Sequence, residues 1–162
     1  MKFLLTTILL AGSAFAGLPL ICHPIEIGNA KSLPWKGGAD GWEGADRSYD
    51  RSRLATDTLA LLTPGTPVAV RMETMRRAAI YAREDPRIGA DILLRLTAIV
   101  LDGGAADSMA WFDAGYFAET LRQMARTQEK DTAGMRRGSA WVRHAIRLGG
   151  KGMEDGLART AD

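Results

Sequence analysis

The chain has 162 residues, 46% of them hydrophobic and 25% charged, with 21 lysines and arginines against 19 aspartates and glutamates. A net charge of +2 excludes the strongly basic composition of a general nucleic-acid binder, and a single cysteine excludes an intrachain disulfide framework. The length suits one ordinary domain able to bury a sizeable core.

The first stretch predicts an export signal. Lys2 supplies a positive start, Phe3 to Ala11 an apolar run, and Ala14-Phe15-Ala16 a small-x-small cleavage site, so residues 1–16 read as a secretory signal peptide cleaved after Ala16. The apolar run is shorter than the roughly 20 residues that span a bilayer. The expected product is secreted or periplasmic, with no transmembrane segment after cleavage.

Residues 17–50 carry prolines 19, 24 and 34 and glycines 28, 37, 38, 41 and 44, too many breaks for a long helix. They read as an irregular Gly/Pro-rich arm. Its anchors Trp35 and Trp42 predict that it lies over a helical body, docked at Leu33-Pro34-Trp35. Cys22 and His23 are soft ligands, and a metal- or haem-binding protein would use them. The pair lacks the second cysteine of a covalent haem motif, so no cofactor is expected. Asp40, Glu43, Asp46 and Asp50 do not fit a calcium loop, because Trp42, Gly44 and Arg51 occupy ligand positions.

The body, residues 51–150, is predicted all-α. A first helix covers Arg51 to Leu62 and stops at Thr63-Pro64-Gly65. Thr66-Pro67 reads as a cap followed by a proline at the first helical position, opening a helix to about Ala82. Val68, Met72, Met75, Ala79 and Ala82 share one face of it, while Glu73 and Arg77 form an i,i+4 pair on the other, which predicts a one-sided surface helix. Asp85-Pro86 opens the next helix, to Leu101; Ile88, Ile92, Leu93, Leu96, Ile99 and Val100 give it a wide apolar face, predicted buried.

Asp107 to Met124 concentrates aromatic residues at Trp111, Phe112, Tyr116 and Phe117. Ala110, Ala114, Phe117, Leu121 and Met124 form its main buried stripe. Phe112, Tyr116 and Glu119 fall on the other side, where they read either as a second core face or as the wall of a ligand site. A last helix, about Met135 to Leu148, turns Arg136, Arg143 and Arg147 outward on one stripe, in the most basic part of the chain. Residues 151–162 read as a flexible tail.

These elements predict antiparallel helical hairpins, about five helices in all, preceded by the irregular arm. The hairpin starts at 51 and 86 lie 35 residues apart, near the roughly 34-residue period of tetratricopeptide arrays. The resemblance is architectural only, since Tyr81, Ala78 and Thr74 stand where that family places small, aromatic and small side chains.

No G-x-S-x-G turn, H-E-x-x-H helix or P-loop is present, and His23 and His144 are the only histidines. The functional expectation is a non-enzymatic, exported binding protein of the cell envelope. Its partner is another protein or an anionic envelope component, met through Phe112, Tyr116 and Glu119 or through Arg136, Arg143 and Arg147. The alternative is a small helical cell-wall hydrolase that uses Glu119.

Overall fold

The computed structural model describes residues 20–37, 43–102, 104–135 and 137–160. The stretch expected to be an export signal, Asp40, Trp42 and Arg136 lie outside these. Six α-helices run through the described residues, and no β-strand does: α1 Leu54–Leu61, α2 Val68–Tyr81, α3 Pro86–Leu101, α4 Ser108–Thr127, α5 Ser139–Arg147 and α6 Glu154–Thr160. The fold is the expected all-α set of helical hairpins, with one helix more than anticipated.

Local capping chemistry sets several starts. The Asp85 carboxylate accepts from Arg87 N with Pro86 in the first turn of α3, and the Asp107 carboxylate accepts from Met109 N and Ala110 N at the head of α4. Thr66 does not act as the expected cap of α2. Its hydroxyl donates backward to the Leu61 carbonyl and accepts from Thr63 N, tying off the end of α1, and α2 begins at Val68 with no side-chain cap.

α4 is the centre of the molecule: 13 of its 20 residues are buried, and α2, α3, α5 and α6 all pack on it. Both apolar faces of the aromatic helix are therefore core.

The expected roles of α2 and α3 are exchanged. Eleven of the 14 residues of α2 are buried, Arg71, Glu73 and Arg76 among them, whereas α3 buries only Gly89, Ile92, Leu96 and Val100. Leu94 and Leu101 on α3 are 68% and 79% exposed. The reason lies in the arm. Residues 21–34 of the arm cross the polar side of α2 and hydrogen-bond it along its length: Ile25 N donates to Glu73, Arg76 to the Ile21 carbonyl, Arg77 to the Leu33 carbonyl, and the Tyr81 hydroxyl to the Pro34 carbonyl. Charges that read as a wet face are satisfied inside, so α2 needs no solvent.

Ile21 and Leu33 of the arm are buried, and Trp35 sits edge-on to Tyr81 with the Arg76 and Arg77 guanidinium carbons 5.1 and 5.3 Å from its ring centre. Both distances are within cation–π range. A lone antiparallel bridge, Trp35 with Ala45, closes the arm on itself.

The segment read as a flexible tail also belongs to the body. Met153, Gly156 and Thr160 are buried, Gln123 Nε2 donates to the Arg159 carbonyl, and Gly156 lies so close to Phe112 that a Cβ there would come within 2.6 Å of the ring.

Candidate functional site on the face of α5

α5 is placed by a close backbone crossing. Gly115 on α4 and Gly138 at the head of α5 meet without side chains between them: a Cβ on Gly138 would lie 1.8 Å from the Gly115 carbonyl oxygen, and one on Gly115 would lie 2.7 Å from Trp141 Cβ. Only hydrogen fits at either position. Gly138 N donates to Glu119 Oε2 at 3.2 Å, and Glu119 also accepts from Arg122 Nε and Nη2 at 2.9 and 2.5 Å. A carboxylate at the start of a helix complements its dipole. Glu119 therefore fixes the beginning of α5.

With that crossing set, Val142 and Ala145 turn into the core and Arg143 and Arg147 turn out. The two arginines are exposed and four residues apart, about 40° from each other around the axis. A chain of half-buried rings lies across the join of α4 and α5. Trp111 of α4 stands edge-on to Trp141 with ring centres 5.9 Å apart and to His144 at 4.6 Å, and its indole N–H donates to the Ala105 carbonyl. His144 Nδ1 in turn lies 3.4 Å from Arg147 Nη2. Of the two cations, Arg147 therefore borders the chain of half-buried rings through His144, while Arg143 Nη2 donates to Ser139 Oγ at 3.3 Å.

The remaining sequence candidates lie elsewhere. Phe112, Tyr116 and Glu119 are all fully buried, so they form no wall open to a solute. α6 covers Phe112, whose ring stacks on Tyr116 at 5.6 Å, and Arg122 with Gly138 occupies Glu119. The Tyr116 hydroxyl is buried with no hydrogen-bond partner, and burial pushes its ionisation well above the ordinary tyrosine range. A glycosidase pair around Glu119 would need a second carboxyl and room for a sugar. Arginine and backbone fill that space.

Cys22 is a half-buried free thiol and His23 is exposed; among the described residues no three His, Cys, Asp or Glu side chains gather as a metal-holding group.

Sequence reading did not identify Trp111, Trp141 and His144 as neighbours. Trp141 and His144 stand three residues apart on one helix, but the Gly115–Gly138 crossing is what brings Trp111 to them, and spacing along the chain carries no signal of that. Comparison with protein-family models, with characterised proteins and with solved structures gave no match to this chain.

Proposed function

We propose that this chain is an exported, non-enzymatic binding protein of the cell envelope, and that the face of α5 docks on an acidic surface of another protein. The observation that carries this reading is the exposed pair Arg143 and Arg147 on one stripe of α5, with Arg147 against His144 at the end of the Trp111, Trp141 and His144 ring cluster. Arginine and tryptophan are the residues most enriched among those that dominate protein–protein affinity, and a rigid aromatic strip loses little entropy on binding. The guanidinium groups supply charge-assisted bonds to carboxylates, and the rings supply apolar area around them.

The test pairs Arg143→Glu with Arg147→Glu. Both side chains are exposed, so the double variant is expected to keep its circular-dichroism spectrum and unfolding midpoint while losing capture of envelope protein seen with the wild type at low salt. Wild-type capture should also weaken steadily with ionic strength, because exposed charges are screened over about 8–10 Å. Equal capture by both proteins across the salt titration overturns the reading. Retention on vesicles of anionic phospholipid, with none on protein, would replace the acidic protein by a lipid surface.

A further inference from the structure

A cleft of about 430 Å³ opens between the end of α1, the outer helix α3 and the first turns of α4, away from the face of α5. Its volume falls within the range of small-molecule sites. Leu59, Leu62, Leu96, Ile99 and Met109 give it an apolar lining, and Ile99 is 48% exposed. Arg71 and Asp113 also line it, and both are buried.

The polar end is rigid and incompletely satisfied. Arg71 donates to the Thr63 and Thr66 carbonyls and to Asp113 Oδ2, so the guanidinium is held by the α1–α2 turn and in turn holds one carboxylate oxygen. The other oxygen, Asp113 Oδ1, is buried and accepts no hydrogen bond. A buried carboxylate oxygen without a donor is costly, and on a residue that lines a cavity it marks where a ligand donor would be favoured. Charge selects the donor. Asp107 also lines the cleft, so two acids face one arginine.

We propose that this cleft is a binding site for a small amphipathic amine, whose ammonium group donates to Asp113 Oδ1 and whose apolar body lies along Leu59, Leu62, Leu96 and Ile99. Burial, with Asp107 adding to it against the pull of Arg71, pushes the Asp113 carboxyl up to about 7. An ammonium beside Oδ1 favours the ionised form, so binding below neutral pH expels the Asp113 proton to solvent. Affinity therefore rises as pH increases through about 7 and levels off above it.

The experiment uses three probes of matched length, n-hexylammonium, n-hexanol and n-hexanoate, titrated into isotope-labelled protein at pH 8 and followed by the amide signals of Leu96, Ile99, Met109 and Ala110. Hexylammonium is expected to give saturable shifts at these residues, hexanol to bind about tenfold more weakly or worse, and hexanoate to give none. Asp113→Asn should bring hexylammonium down to the level of hexanol and remove the pH dependence. Ile99→Lys, at an exposed position that leaves the fold intact, should weaken hexylammonium alone by placing a like charge at the cleft. Equal binding of hexylammonium and hexanol, preference for hexanoate, absence of shifts with any probe, or indifference to Ile99→Lys each overturns the proposal.

Discussion

Glu73 has a side chain only 1% exposed, yet it is ionised in the heart of the molecule. Burial alone would push its carboxyl up, but the bidentate Arg76, the Arg77 guanidinium and the Ile25 amide outweigh this and hold it below the ordinary glutamate range. Its folded value is lower than its unfolded one. The stability it contributes is therefore complete above the unfolded value of about 4.3 and is lost as pH falls through the depressed folded value. Asp113 runs the other way: its folded value is raised to about 7, so the native state holds the extra proton and stability declines as pH rises from about 4 to 7. Urea unfolding at a series of pH values separates the two. Glu73→Gln should cost about 3–5 kcal/mol at neutral pH, since it leaves the buried Arg76 and the half-buried Arg77 without this anion. Asp113→Asn should flatten the decline between pH 4 and 7. A Glu73→Gln protein as stable as the wild type would mean that the arm carbonyls alone satisfy Arg76 and Arg77.

Among the elements, the N-cap at Asp85 was legible in the sequence because a cap and its amide lie within three residues of each other. The burial of α2 was not, since the arm groups that bond Glu73, Arg76 and Arg77 lie 44 to 55 residues away. Helical periodicity sorts residues by polarity, and a polar face covered by polar backbone looks the same as one covered by water. α3 misled for the converse reason: Leu94 and Leu101 are apolar and exposed, as many surface leucines are. Glycine 138 gave no signal either, because its meaning depends on Gly115 across the crossing. That pair makes a sharp prediction. Gly138→Ala places a methyl against backbone rather than against a side chain that could rotate away, and should destabilise at or above the upper end of the usual 1–3 kcal/mol or so for overpacking. It should also alter the near-ultraviolet signal of Trp111 and Trp141. Gly134→Ala, with open space around its Cβ position, is the matched control and should be close to neutral.

At the scale of the whole molecule the arm is a structural layer, and Trp35 is the side chain through which it grips α2. Trp35→Ala removes its contacts with Tyr81, Arg76 and Arg77. The ring is only partly buried, so the expected cost is near the lower end of the range for core aromatics, about 3 kcal/mol. Thermal unfolding should show the lowered midpoint, and limited proteolysis should cut within residues 20–37 before the helices. A midpoint equal to the wild type with an uncut arm would place the grip elsewhere, at Ile21 or Leu33.

The hydrogen bonds from the arm to α2 have a consequence in time. A chain emerges from the ribosome at roughly 5–20 residues per second, amino end first, so the stretch around Ile21 and Ile25 waits some seconds before Glu73 and Arg76 exist to receive it. During that interval the arm has no docking surface, and a chain halted just short of α2 has nothing for it to fold against. This earlier-made stretch of the nascent chain must stay uncommitted until younger sequence arrives, and pausing near residue 67 would prolong its exposure to proteases and chaperones alike.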